Sequence, residues 1–468
     1  MPADTVEQRR RRRHARQGSL FPGQARSFQS PRPGDDRIGV LDIGSNSVRF
    51  VVFEGGRRCP AMVFNEKILC GLGARLGQTG KLDPAGCARA LRALQRFVAL
   101  APGLRVGAMA AIATAAVREA EDGPAFRDRI RKDTGIRPVI ASGADEARLA
   151  AQGVLFGDPF SEGMVVDLGG ASMELCPVAR GRTGVGVTTP LGPQRLGPLT
   201  GDRDKVRSRI RAVLRAERNR YPAAIPRLYL VGGAWRALAR VEIALSDHPL
   251  PVLHEHTFTV ERARRVCDHV LSQTFRDGAD VPGLPSGRVT SLPHAALLLE
   301  GLLDRFEPEH GVAVSGFGLR EGVCYEHLPE PVRAEDPLIS TCAGQELTRA
   351  RAPGFGAELS DWLLTALKST SEREERLVRA ACLLADVSWR AHPDFRARSC
   401  MEVVTRVNVS GAGHAGRAFI AACLLARYKG GRKATAAEPA MSLLSPAEVE
   451  RASQVGALIR LGASIAGA

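Results

Sequence analysis

Two short stretches carry the residue types that phosphate chemistry needs: Val40-Leu-Asp-Ile-Gly-Ser-Asn-Ser47 and Val165-Val-Asp-Leu-Gly-Gly-Ala-Ser172. Each sets a carboxylate at the end of an apolar strand, then a turn of small residues, then a serine. Small residues let backbone approach an anion closely, and successive N–H groups form an anion-binding concavity. Gly44, Ser45, Asn46 and Ser47 in the first stretch, and Gly169, Gly170, Ala171 and Ser172 in the second, are therefore candidate phosphate-binding residues. A carboxylate cannot bind phosphate directly. Asp42 and Asp167 are read instead as ligands for a hard cation such as Mg²⁺, or as groups that orient an attacking water. Sliding the first stretch by 125 positions lays Asp42 on Asp167, Gly44 on Gly169 and Ser47 on Ser172. One Gly-rich turn closes an ordinary hairpin. Two matching turns about a domain length apart point to an internally duplicated α/β protein that grips phosphates from both sides of a cleft.

The elements that must position these groups are legible around them. Both loops lead into a second strand, Val48 to Phe53 and Met173 to Val178, so each is a hairpin turn. Asp83-Pro84 pairs an N-cap with proline at the first helical position. Cys87, Leu91, Leu94 and Val98 then make one apolar helical stripe. Arg105 to Ile112 reads as a buried strand. Arg118 follows just past its end, where α/β folds place ligand groups. A short strand, Pro138 to Ala141, runs into a helix opening at Ser142 with Asp145 and Glu146 in its first turn. Acids there are favoured by the helix dipole alone, so Glu146 has a functional role only if it points back toward the phosphate loops. Leu228 to Val231, Gly232-Gly233 and the residues after them read as strand, turn and helix start, an element that weakly resembles the adenosine-side loop of the actin, sugar kinase and Hsp70 superfamily. Residues 255–310 read as mainly helical, Gly311 to Gly322 as a last strand–turn–helix unit, and the chain beyond Pro329 as helical. Asp386, His392 and His414 lie in that last region without metal-ligand spacing, so structural roles are expected for them.

Composition narrows the class. The chain has 468 residues, 44% of them hydrophobic and 25% charged, ordinary values for a globular protein of two to four domains. No apolar run is long enough to span a bilayer, and no apolar segment follows the N-terminal arginines as a secretory signal would require. Ten cysteines without a C-x-x-C pair favour a reducing compartment, with the cytoplasm as default. The net charge is +15, of which residues 1–37 supply +5 through nine arginines. Residues 1–36 read as a disordered basic tail. A basic body suits a polyanionic ligand. No nucleic-acid-binding pattern is present and aromatics are only 5%, so no specific nucleic-acid partner is expected.

Together the motifs resemble the exopolyphosphatase/guanosine pentaphosphate phosphohydrolase (Ppx/GppA) family of the actin, sugar kinase and Hsp70 superfamily. Five stretches carry the resemblance, in family order: Leu41 to Ser47, Ile112 to Ala120, Ala141 to Leu149, Val166 to Leu175 and Gly318 to Gly322. It implies two duplicated ribonuclease H-like (actin-like) α/β domains with a cleft, at 37–157 and 158–329, and an α-helical HD-like domain at 330–468. The catalytic glutamate falls on Glu146 as general base. Asp42, Asp167 and Glu174 fall on acidic positions around metal and water, and Arg118 on an arginine that contacts phosphate. The implied activity is Mg²⁺- or Mn²⁺-assisted release of terminal phosphate from inorganic polyphosphate by a homodimer. Guanosine pentaphosphate is the alternative substrate, and a non-catalytic polyphosphate or nucleotide sensor the alternative class. Glu146 in its Ser-Gly-x-x-Glu-Ala setting argues against a kinase or ATPase.

The sequence departs from the family pattern at three places. Ala171 and Met173 replace glycine and threonine in the second loop, and Ala171 is tolerable only where φ is negative. Ala385-Asp386 stands where an HD domain carries His-Asp. The chain stops at Ala468 inside what reads as a strand–helix stretch, which suggests a truncated third domain.

Overall fold

The computed structural model describes residues 37–466 apart from 55–56, 198, 200–202, 218–219, 223, 273–274, 276–277, 279–280, 368–370, 407–408 and 430–437. The arginine-rich tail lies outside the described residues.

The first sheet holds β1 (Arg37–Ile43), β2 (Ser47–Phe53), β3 (Met62–Leu69), β4 (Val106–Ala113) and β5 (Val139–Ile140) in the order 3-2-1-4-5. β1, β2 and β3 form an antiparallel meander, and β4 and β5 run parallel to β1. β1 is central and reads as a nearly continuous apolar run, as a strand covered on both faces must. β3 lies at the edge and shows alternating exposure. Helix Pro84–Leu100 begins where its signals place it, with the Asp83 carboxylate accepting the Gly86 N–H at 2.6 Å. Leu91, Leu94 and Phe97 of this helix join Phe50 and Leu41 in the core.

The second sheet repeats the plan. It holds β6 (Gly163–Leu168), β7 (Met173–Ala179), β8 (Arg182–Thr183), β9 (Val187–Thr189), β10 (Leu228–Val231), β11 (His256–Phe258) and β12 (Val312–Ser315). Its order is 11-12-10-6-7-8, with β9 also paired to β7. Without the added edge strand β11, the series 8-7-6-10-12 is the 3-2-1-4-5 order again, so the sequence repeat is a repeat of fold. β11 interrupts a segment whose composition reads as helical. It is three residues long, too short to show a two-residue period, and it forms by pairing antiparallel with β12.

Beyond Pro329 the described residues contain helices and no strand. Helices Pro337–Arg349, Phe355–Ala366, Glu372–Leu383, Pro393–Thr405, Gly413–Lys429 and Pro446–Ala466 enclose a core that includes Leu338, Val378, Leu424 and Ile459. No helix among the described residues is long and apolar enough to cross a membrane.

The chain forms two compact units. One runs from β1 to the first turn of helix Gly143–Gly157 and includes residues 323–329. The other takes the rest of that helix, the second sheet and the helical C-terminal region, together with residues 57–59 from the connection between β2 and β3. Arg58 explains that last inclusion. It is fully buried and donates to the carbonyls of Leu155 (2.9 Å), Phe156 (2.8 Å) and Arg333 (3.0 Å). Leu155 and Phe156 belong to the last turn of helix Gly143–Gly157, where a cation complements the dipole.

Candidate active site

In the first unit the candidate residues gather at the carboxyl ends of the parallel strands β1, β4 and β5. The turn after β1 is closed by the Gly44 N–H donating to the Ser47 carbonyl at 3.0 Å. The segment after β3 holds it from outside. Cys70 and Gly71 N–H donate to the Asn46 carbonyl (2.9 and 3.0 Å), and Gly73 N–H to the Ser45 carbonyl (2.8 Å). The carbonyls of Ser45 and Asn46 are thus engaged within the protein, which suits a loop meant to receive an anion. Asp42 lies opposite Arg49 on β2 and Ile112 on β4. Its carboxylate reaches under the turn, where a Cβ added to Gly44 would sit 3.9 Å from Asp42 Oδ1 and 4.0 Å from Thr114 Oγ1.

Glu146 is delivered by a capping box. Ser142 Oγ accepts the Asp145 N–H (3.1 Å), while Asp145 Oδ2 accepts the Ser142 N–H (3.1 Å) and hydroxyl (2.6 Å). The next residue is Glu146, whose N–H donates to the Ser142 carbonyl at 3.0 Å. The residue is 8% exposed and forms an ion pair with Arg118, which projects from the short helix Ala115–Glu119 after β4. Arg118 Nη1 also donates to the Ala141 carbonyl at 2.8 Å. The general-base candidate and the phosphate-contact candidate are therefore direct partners. A guanidinium carries five N–H donors, and these two contacts use one of its nitrogens. Arg118 Nη2 lies 3.9 Å from Glu119 Oε1, and the N–H groups not taken up by these contacts can donate to an anion.

The second loop copies the first. Gly169 N–H donates to the Ser172 carbonyl, again at 3.0 Å. Asp167 and Glu174 are opposite each other across β6 and β7, so they share a face of the sheet. Glu174 is buried and accepts the Thr188 hydroxyl at 2.9 Å. Gln194 N–H donates to the Gly170 carbonyl at 2.9 Å. Ser172 is 6% exposed, so its hydroxyl is less open than Ser47. Neither departure in this loop strains it. Ala171 does not adopt positive φ, and Met173 is fully buried in the apolar core. Gly232, at φ 121°, brings the Gly232-Gly233 turn against this site. A Cβ there would lie 2.7 Å from the Leu168 carbonyl oxygen and 3.2 Å from Asp167 Oδ1.

Three arginines that sequence reading did not single out surround this end of the second sheet: Arg236, Arg288 and Arg320. Burial pushes the Arg236 guanidinium down, as does Arg320, against the pull of Glu321 and Asp167; Arg288 adds to the downward push. Arg288 lies against Gly233, where an added Cβ would meet Nη2 at 2.6 Å. Arg320 sits inside a motif already quoted, and Arg236 four residues after Gly232. Arg288 had no local signal at all.

The sequence matches the Ppx/GppA phosphatase family over residues 51–331, and the exopolyphosphatase C-terminal family over residues 338–468. The chain belongs to the Ppx/GppA phosphatase family. It is 28% identical over 335 residues to Exopolyphosphatase 1 of Mycobacterium leprae, covering 68% of this chain and 97% of that one. Retrograde regulation protein 2 of Saccharomyces cerevisiae is 24% identical over 439 residues, covering 84% and 72% respectively. Among solved structures, an exopolyphosphatase from Cytophaga hutchinsonii aligns with a TM-score of 0.54 at 25% identity, over 62% of this chain and 96% of that one.

Two Ppx/GppA stretches acquire a packing reason. Gly318 and Gly322 bracket the start of helix Leu319–His327, which crosses helix Gly143–Gly157 with backbones touching. A Cβ on Gly322 would lie 1.9 Å from the Leu149 carbonyl oxygen, and one on Gly153 2.2 Å from that of Gly318. Glu321 caps the crossing by accepting the Gly318 N–H at 2.9 Å. In the helical region, Asp386 accepts from Arg351 N–H, Nε and Nη2, each at 3.1 Å, with Arg427 at 3.7 Å. It acts there as an ion-pair anchor.

Proposed function

We propose that this protein is an exopolyphosphatase that releases terminal phosphate from inorganic polyphosphate. The observation that carries the reading is the buried Glu146, presented by its capping box beside Arg118 at the strand ends behind the first loop. Two relatives named exopolyphosphatase support it. Arg118 and the loop N–H groups bind and orient the terminal phosphoryl group. Glu146 positions a water and takes its proton as the water oxygen bonds to phosphorus. The bond to the bridging oxygen breaks, and the shortened chain leaves as an oxyanion. Such reactions rest on positioning and charge neutralisation more than on covalent chemistry.

Asp42 and Asp167 are half-buried carboxylates, each at the equivalent strand end of its own unit, donors of the kind a hard cation takes. Mg²⁺ or Mn²⁺ held there would neutralise charge on the transferring phosphate. The rest of the reading covers a cytoplasmic homodimer and an HD-like helical region without a hydrolase centre. The cysteines, all free, support the compartment, and the anchoring role of Asp386 supports the lack of a second centre.

Guanosine pentaphosphate is the second reading, favoured by the Gly232-Gly233 turn against Asp167. Phosphate release from long-chain polyphosphate, guanosine pentaphosphate and ATP, measured in parallel, separates the possibilities. Preferential release from polyphosphate is expected. Preference for the nucleotide selects the second reading, and no release from any of the three overturns the hydrolase reading.

A further inference from the structure

The second unit contains a histidine cluster that phosphate chemistry does not use. His248 follows helix Gly233–Leu245, His256 opens β11, and His414 is the second residue of helix Gly413–Lys429. One nitrogen from each ring lies within 4.8 Å of the other two.

The bonds on the outside of the cluster decide which nitrogens face inward. His256 Nε2 hydrogen-bonds Glu242 Oε2 at 2.5 Å. Glu242 also pairs with Arg262, so it is a carboxylate and accepts. In the neutral ring the His256 proton is therefore on Nε2, and the lone pair is on Nδ1. That Nδ1 is buried without a hydrogen-bond partner, on a residue with no exposed surface. His414 Nε2 donates to the His254 carbonyl at 3.3 Å, which leaves its Nδ1 as a second lone pair. His414 Nδ1 faces His248 Nε2 at 2.7 Å. Two lone pairs thus point into a nest whose third wall is a half-buried imidazole.

We propose that His248, His256 and His414 form a zinc site that clamps β11 and the end of helix Gly233–Leu245 to the C-terminal helical region. Three imidazoles with a fourth position left for water suit Zn²⁺, which takes four nitrogen, sulfur or oxygen ligands tetrahedrally. A carboxylate behind a ligating histidine is the arrangement that fixes the ring and raises its basicity. Zn–N bonds of about 2.0–2.1 Å place tetrahedral nitrogens roughly 3.3 Å apart. His248 and His414 must then part by about 0.6 Å, and His248 must move its proton to Nδ1. His248 is the least buried of the three and best able to shift. A cluster held by hydrogen bonds alone would leave the buried His256 Nδ1 unsatisfied, which is uncommon and costly.

The test uses the full-length chain without a histidine tag, stripped of metal and titrated with Zn²⁺ against a chromophoric chelator. One Zn²⁺ per chain is expected, with a rise of several degrees in melting temperature, and Co²⁺ should give the visible spectrum of a four-coordinate site. His248→Ala should keep the circular dichroism spectrum and lose stoichiometric zinc; His248→Asn serves if the alanine variant does not fold. Glu242→Gln should keep one zinc and weaken it about 10–100-fold. Absence of zinc binding by the stripped wild-type chain overturns the proposal. So does zinc bound equally well by the His248 variants, which would place the metal elsewhere.

Discussion

Replacing Glu146 by glutamine separates its two roles, base and partner of Arg118. The shape is kept and the proton acceptor is lost. Loss of a general base costs about 10²–10⁴-fold in rate, or roughly 2.7–5.4 kcal/mol of barrier. The change in fold stability is smaller. The side chains are 11% and 23% exposed, and glutamine can still accept from Arg118. A charge-assisted hydrogen bond worth about 1.5–3 kcal/mol becomes an ordinary one worth about 1 kcal/mol. Arg118 does not drift, because the Ala141 carbonyl still holds it at 2.8 Å. Freed of the Glu146 carboxylate, it should bind phosphate about 2- to 30-fold better, by the same difference of roughly 0.5–2 kcal/mol. The expected result is a kcat down by two to four decades with a lower KM. Initial rates of phosphate release across polyphosphate concentrations, with binding measured separately by calorimetry, give both numbers. A variant with near-normal kcat would refute Glu146 as the base and turn attention to Asp42 or Glu174. A KM rising in step with the loss of rate would show that Glu146 serves binding instead.

Ser142→Ala removes the capping box, costing about 1 kcal/mol and lowering kcat up to about tenfold, with Ser142→Thr restoring both in melting and rate assays. Gly322→Ala drives a Cβ into the Leu149 carbonyl and should cost about 3 kcal/mol or more, whereas Gly287→Ala, with open space around it, should stay within about 0.5 kcal/mol in denaturant titrations. Activity removed by chelation should return with Mg²⁺ or Mn²⁺ and not with Zn²⁺ alone; full activity in excess EDTA would refute metal assistance.

Much of the site was legible because its signals are local. The 125-residue repeat reads directly as two turns closed by the same 3.0 Å bond, since the spacing of Asp, Gly and Ser determines what a hairpin turn of that length can hold. Asp83-Pro84 and Ser142-x-x-Asp145 announce helices because a cap is a matter of three or four residues. Features assembled across the chain were hidden. His248 and His414 are 166 residues apart and come from different elements, so no ligand spacing could reveal them. Arg288 looks like any surface arginine until Gly233 is seen beneath it. The helical stripes after Pro329 announce helices without saying what they pack against, and the union of that region with the second sheet emerges only in three dimensions.

The Arg58 strap bears on how the chain can be made. Its guanidinium leaves the ribosome 97 residues before the Leu155 carbonyl it caps, so a nascent chain must carry a basic loop with no seat until helix Gly143–Gly157 has emerged. The second unit can mature only by reaching back to older chain, a long-range closure that slows folding. A fragment expressed from Ala147 onward would carry the strands of the second sheet yet lack the first turn of that helix and the arginine that caps its far end. Although the two lobes share a plan, they are not modules that scissors at a single peptide bond could separate.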